Sequence, residues 1–279
     1  MAKYAMIAEG VVARGIVPRE RLAEPAPASR DALTRVHDAE YVNAVLGNGL
    51  TEAEQRRLGF PWCPELVERS LRTVQGTIEA SRDALECGIG INLAGGTHHA
   101  FPGHGEGFCV FNDVAIAIRT LQSERRITRA VVLDLDVHQG NGTARIFADD
   151  PAVFTFSMHG AGNYPFRKER SRLDLELPDR TGDEAYLALL TRHLDAVLEE
   201  ARADLALFIA GADPYRLDRL GRLALTIEGL EQRDAAVLAA CRRRGLPAAV
   251  VLGGGYPSDL RDVVTIHANT CALLSACHA

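Results

Sequence analysis

Residues 130–143 read AVVLDLDVHQGNGT, and this stretch decides the fold. It opens on a continuous apolar run, 130–133, and then sets Asp134, Asp136 and His138 at alternate positions with Leu135 and Val137 between them. A run that is apolar on both faces is the pattern of a parallel strand buried between two helix layers. Side chains alternate faces along a strand, so an extended backbone here aims all three polar residues the same way. Two carboxylates and an imidazole at the end of a buried strand are costly unless they are paired or bound to a metal. Gly140 and Gly142 then end the strand and let the backbone turn tightly beside the site. On this stretch alone two readings stay open: a strand-end cluster of salt bridges and caps, or a metal site.

Other Gly-flanked apolar runs lie at 89–94, 152–157, 205–210 and 248–252. Helix-length amphipathic segments at 113–124, 184–202 and 228–244 separate them, and 258–276 closes the chain. Upstream, 3–13 has a helical pattern, Gly15 marks a turn and 18–27 is a Pro-rich link. Ser29 is placed to cap a next helix that carries VHDAEYV, 36–42. A polar segment with Gly47, Gly49 and Gly59 leads through FPWCP, 60–64, into a long helix from 65 to about 86. Alternating strands and helices predict an α/β fold: a single domain, 1–279, with a central parallel β-sheet and helices on both faces.

A chain of 279 residues suits one such domain, and 47% hydrophobic with 24% charged residues supplies a large core. The net charge of -6, without a basic stripe, excludes a general nucleic-acid binder. Arg242, Arg243 and Arg244 form the dense basic run, at a helix end where they suit the helix dipole. No apolar stretch reaches membrane-spanning length and the amino terminus has no export pattern, so a cytoplasmic protein with no membrane partner is expected. Cys63, Cys87, Cys109, Cys241, Cys271 and Cys277 are scattered without a C-x-x-C pair, which fits reduced thiols.

The residues just beyond each apolar run carry the chemistry. After 89–94 come His98 and His99; after 130–135 come Asp136 and His138; after 205–210 comes Asp213; after 248–252 comes Tyr256. Ligands of open α/β sheets bind at the carboxyl ends of the strands, so these side chains are expected to share one crevice.

The set GGTHHA (95–100), GEGFCVFND (105–113), DLDVHQGNGT (134–143), AGADPYRLDRLG (210–221) and GGGY (253–256) resembles the histone deacetylase superfamily. The His-Gln pair at 138–139 and GGTHH, where many members have PPGHH, make it most similar to the class IV branch and its bacterial relatives. The resemblance implies the arginase–deacetylase fold. It also implies hydrolysis by a metal-bound water of the acyl amide, acetyl or longer, on a lysine-like amine. Its implied partner is an acylated lysine peptide or protein, or a small acylated amine such as an acetylpolyamine. A catalytically silent acyl-lysine-binding relative is the alternative of another class.

By resemblance, Asp136, His138 and Asp213 hold the catalytic metal. The donor set takes Zn²⁺ and also suits Fe²⁺ or Mn²⁺. His99 is the implied general base and then acid, with His98 its electrostatic partner. Asp134 holds His98 and Asn141 holds His99; many relatives have a second Asp at the latter position, so His99 is expected to be less basic here. Tyr256 donates its hydroxyl to the acyl oxygen. Its run of three glycines predicts a flexible loop that lets the ring swing inward and outward. Gly107, Phe108 and Tyr164 match the walls of the acyl-lysine tunnel. A structural monovalent cation, K⁺, is implied around Asp134, the main chain of Asp136 and His138, and Ser157. His104, His159 and His267 are read as structural or solvated.

An arginase-like two-metal site needs a carboxylate two residues beyond His138, and position 140 is Gly. The resemblance departs at its start, because members usually begin with a short strand and a Pro- and His-bearing loop before the first helix. An uncovered sheet edge is therefore expected, and with it a homo-oligomer.

Overall fold

The computed structural model describes residues 2–275, and its framework is six parallel strands. They are β1 (Ile89–Asn92), β2 (Ala130–Asp134), β3 (Val153–Gly160), β4 (Leu173–Leu177), β5 (Leu205–Ile209) and β6 (Ala248–Val251). The spatial order is β1-β6-β5-β2-β3-β4, with every pairing parallel. All residues of β2, β3, β5 and β6 are buried; β5 and β6 read as unbroken apolar runs, β2 does so up to Asp134, and β3 alternates Phe154, Phe156 and Met158 with Thr155, Ser157 and His159. β4 was not expected from the sequence. It is an edge strand whose LDLEL alternates apolar and charged residues, so it lacks the continuous apolar signal of the interior strands.

Among the described residues ten α-helices accompany the sheet: α1 (Ala2–Ala13), α2 (Arg30–Thr34), α3 (Ala39–Leu46), α4 (Glu52–Leu58), α5 (Pro64–Cys87), α6 (Asp113–Ser123), α7 (Asn141–Ile146), α8 (Asp183–Ala201), α9 (Ile227–Arg243) and α10 (Leu260–Ser275). Alternate strand residues feed two cores. Val131, Leu133, Phe156 and Phe208 pack with Leu190, Val237 and Val263 of α8, α9 and α10. Val132, Leu205, Leu207 and Val251 pack instead with Ala84 of α5 and Ile118 of α6. Both faces are covered, as the alternation of strands and helices requires. At the β1 edge, Ile7 and Val11 of α1 sit against Leu252 and Cys271. Cys63, Cys87, Cys109 and Cys241 are free thiols. Position 276, the expected end of the last helix, and Cys277 lie outside the described residues.

The expected helix that follows Ser29 and carries 36–42 is divided. α2, capped by Ser29 Oγ accepting from Ala32 N at 3.2 Å, stops at Thr34, and α3 starts at Ala39. Long-range hydrogen bonds take the backbone between them: Asp38 N donates to Pro102 O at 2.9 Å. His37 Nδ1 donates to Phe101 O at 2.9 Å, while its Nε2 accepts from Asn112 N at 2.9 Å. This buried ring fastens the first helices to the loop that carries the histidine pair, and both bonds need it neutral. α4, also unexpected, is stabilised by a reciprocal capping box between Thr51 and Glu54.

Burial lowers the pKa of His37 from 6.5 to about 4. The unfolded chain therefore binds this proton more tightly than the folded one. The stability at stake is complete above pH 6.5 and is lost as pH falls towards 4, and the gap corresponds to roughly 3 kcal/mol. His159, also lowered to about 4 by burial, adds to the same window. Urea midpoints measured between pH 7 and pH 4 should fall steeply for the wild type and less steeply for His37→Gln. Equal slopes would show that His37 does not carry this dependence.

Candidate active site

β2 and β5 are neighbours whose continuations run to opposite halves of the sheet, β3 beyond β2 and β6 beyond β5. A crevice opens beyond the carboxyl ends of strands at such a point. Asp136 and His138 follow β2, and Asp213 follows β5. The strand itself closes at Asp134, so Asp136 and His138 lie on a bend rather than on the extended backbone that their alternation predicts. Each carboxylate accepts the backbone N–H two residues on, Asp134 from Asp136 at 3.2 Å and Asp136 from His138 at 3.0 Å, and these local bonds replace the sheet ladder.

Ligand atoms of Asp136, His138 and Asp213 lie within 4.8 Å of one another, the one group of its kind among the described residues. Val137 N donates to Asp213 Oδ1 at 2.9 Å and Gly254 N to Asp136 Oδ2 at 3.0 Å. Asp213 Oδ2 is buried and receives no hydrogen bond. His138 Nδ1 stands 3.3 Å from it but only 3.0 Å from Asp136 Oδ1. Burial and the neighbouring Asp136 charge push the Asp213 carboxyl up to about 6. A buried oxygen without a donor, beside a second carboxylate and an imidazole, fits a divalent cation. The metal arm of the two open readings is the one this geometry supports.

Position 140 offers no carboxylate for a second metal. A Cβ at Gly140 would strike the Asp134 carboxylate and crowd His98, so a side chain there would displace them. Gly142 lies within α7 and serves a close approach rather than a turn. A Cβ there would meet the Ala100 carbonyl, and Thr143 N donates to His98 O at 3.0 Å.

Asp113, in the first turn of α6, shapes the histidine loop. It accepts from Gly96 N at 3.1 Å and Thr97 N at 2.7 Å. His98 Nδ1 then lies 2.7 Å from Asp134 Oδ2, His99 Nδ1 2.7 Å from Asn141 Oδ1, and the two Nε2 atoms 3.2 Å apart. For His98, burial favours the neutral ring, but Asp134 and Asp136 outweigh it and raise the pKa to about 9. For His99, burial and the adjacent His98 charge lower it well below 6.5. The pair therefore divides into a charged ring and a neutral one.

A cavity of about 440 Å³ joins these side chains to Gly107, Phe108, Tyr164 and Tyr256. Phe108 is 43% exposed with φ 67, so it is not a core residue. Its ring centroid is 5.1 Å from that of Phe60 and 6.2 Å from that of Tyr256. Tyr164 meets His99 edge-on with centroids 5.0 Å apart. Gly107, at φ 56, leaves room where a Cβ would meet the His99 ring. The Tyr256 backbone is hydrogen-bonded on both sides: its N–H donates to Asp218 at 2.5 Å and its carbonyl accepts from Arg219 Nε at 3.1 Å. The triple glycine also provides closeness, since a Cβ at Gly254 would fall on the Asp213 carboxylate.

Several residues at the site were assigned no role from the sequence. Glu106 Oε1 accepts from Asn141 Nδ2 and from Tyr164 OH, each at 2.7 Å, and Oε2 is 3.4 Å from His104 Nε2. Burial works to raise its pKa, but these bonds outweigh it and hold the carboxyl below the usual range. Lys3 Nζ lies 5.3 Å from the Tyr256 ring centroid, and Gln139 bridges Glu169 O and Asp174. Of the other histidines, His104 stacks on Phe101, His159 Nδ1 is 2.9 Å from Ser157 Oγ, and His267 is buried. Ser157 stands beside Asp134 in the β2–β3 register.

Known proteins are similar to this chain in sequence and in fold. A family profile described as histone deacetylase domain matches residues 1–271. An uncharacterized protein of Picosynechococcus sp. is 46% identical over 96% of this chain and 89% of its own length. Histone deacetylase 2 of Arabidopsis thaliana is 30% identical over 94% of this chain and 70% of its own. A histone deacetylase-like amidohydrolase of Pseudomonas aeruginosa is 32% identical over 87% and 68%. A crystal structure of an HDAC homolog complexed with SAHA superposes with a TM-score of 0.83 at 22% identity, covering 98% of this chain and 77% of that one, which shows the shared fold.

Proposed function

The chain belongs to the histone deacetylase family, with the arginase–deacetylase fold, and on that premise we propose that it removes an acyl group, acetyl or longer, from an acylated lysine. The observation that carries this reading is one cavity shared by the Asp136, His138 and Asp213 group, the His98–His99 pair and Tyr256. Asp136, His138 and Asp213 would hold the metal, Zn²⁺ first, with Fe²⁺ or Mn²⁺ meeting the same donor set. When bound, such an ion polarises the acyl carbonyl and lowers the pKa of water.

The neutral His99 accepts the proton of the attacking water and passes it to the leaving amine. His98, held charged by Asp134, adds positive potential beside it. The Tyr256 hydroxyl donates to the acyl oxygen as charge develops there. Gly107, Phe108 and Tyr164 flank the alkyl arm of the substrate. A K⁺ around Asp134, the main chain of Asp136 and His138, and Ser157 completes the reading, and the β1 edge is where a second copy would pair. With the metal retained, His99→Ala should lower kcat at least about a hundredfold, and His98→Ala less. A larger loss for His98→Ala in steady-state kinetics would reverse the two roles.

The cavity is also lined by Arg56, Arg57 and Arg222. Arg56 is paired with Glu52 and Arg222 with Asp179, so Arg57 is the guanidinium whose like charge would slow the encounter of a polycationic acylpolyamine more than that of a less charged acyl-lysine peptide. Some relatives are named acetoin utilization protein AcuC, so small substrates belong in the test. The metal-loaded protein should be assayed against acetyl- and longer acyl-lysine peptides and against N-acetylputrescine and acetylspermine. Faster turnover of the peptides supports the reading; faster turnover of an acetylpolyamine overturns its lysine part, and no turnover of any overturns it whole.

A further inference from the structure

We infer that Glu106 is a positioning residue which sets the tautomer of His99 through Asn141. A carboxylate can only accept hydrogen bonds, and Glu106 Oε1 stands 2.7 Å from the Asn141 amide. Asn141 must therefore present its NH₂ to Glu106. Turned over, its oxygen would face the carboxylate, acceptor against acceptor. With the NH₂ committed, Asn141 Oδ1 faces His99 Nδ1 at 2.7 Å, and that nitrogen must carry the ring proton. With the ring proton on Nδ1, Nε2 is the nitrogen left to accept one, and it stands 3.2 Å from His98 Nε2. An amide alone cannot impose this order, because Asn donates from one side and accepts on the other and works either way round. The polarity comes from Glu106.

The same carboxylate accepts from the Tyr164 hydroxyl at 2.7 Å, which ties the tunnel wall to the relay. His104, 3.4 Å from Oε2, gives the charge a further partner. Glu106 touches no reacting atom and acts through Asn141.

Glu106→Gln keeps shape and nearly all bonds but can donate as well as accept, so Asn141 is free to turn over. The kinetic arm rests on the proposed function, and the spectroscopic arm does not. In ¹⁵N-labelled protein, His99 should show a bonded proton at Nδ1, and Glu106→Gln should yield a mixture of tautomers. With metal content and melting temperature unchanged, kcat should fall about ten- to hundredfold, the scale of partners that orient a functional imidazole, with KM within about threefold. Asn141→Asp in the Glu106→Gln background should restore most of the loss, since a carboxylate at 141 accepts only and fixes the same tautomer. Asn141→Asp alone should be impaired, because it sets two carboxylates against each other. A purely structural Glu106 would show no such rescue. Unchanged tautomer signals in Glu106→Gln, kcat within twofold of wild type, or a double variant no better than the single one each overturn the inference. Wild type that turns over no acyl donor, while the tautomer still shifts in Glu106→Gln, rejects the proposed function and leaves this inference standing.

Discussion

Asp213→Ala should leave a folded protein that no longer retains its metal and whose turnover drops by at least about a thousandfold. The ligand group shrinks from three residues to two, and the loss falls on the carboxylate whose Oδ2 is buried with no other donor. The several kcal/mol that a Lewis acid contributes to the transition state goes with the ion. Folding should survive. Asp213 gives one hydrogen bond's worth of support, to Val137 N, and its charge is otherwise disfavoured by burial beside Asp136. Metal analysis, circular dichroism and turnover on the same preparation check the three parts. A variant that keeps stoichiometric metal and activity would remove Asp213 from the ligand group.

Tyr256→Phe should lower kcat by a factor of about a hundred to a thousand, roughly 3–4 kcal/mol, the usual cost of one donor to a developing oxyanion. KM should change little, because the bond strengthens only as charge develops. The Tyr256 backbone is bonded to Asp218 and Arg219, and neither contact involves the hydroxyl. Removing the oxygen therefore leaves position and metal content intact. A change of less than about threefold in steady-state kinetics would mean that Tyr256 is a wall of the cavity and no more.

The interior of the sheet was legible because burial on both faces leaves a continuous apolar run, as in 130–133 and 205–209. β4 was not, since an edge strand alternates like any half-exposed segment. The division between α2 and α3 was hidden for a different reason. Nothing local to VHDAEYV breaks a helix; the break is imposed by Phe101, Pro102 and Asn112, which lie more than sixty residues away. Within the site, Asp136, His138 and Asp213 announced themselves as costly side chains at strand ends. Glu106 sits in a glycine-rich loop where a carboxylate reads as solvated, and only the folded chain brings Asn141 and Tyr164 to it. The glycines at 140, 142 and 254 suggested turns or mobility. Their function is proximity, which the sequence cannot distinguish from flexibility because both need the same missing Cβ.

The most direct test of a single-metal hydrolase is a titration. Protein stripped of metal with a chelator is given Zn²⁺, Fe²⁺ or Mn²⁺ in fractions of an equivalent, and hydrolysis of an acetyl-lysine peptide is followed at each step. Activity should be absent at the start, rise in proportion to the metal added and level off at one equivalent per chain. Full activity in the stripped protein, or a rise that continues to two equivalents, would contradict the account.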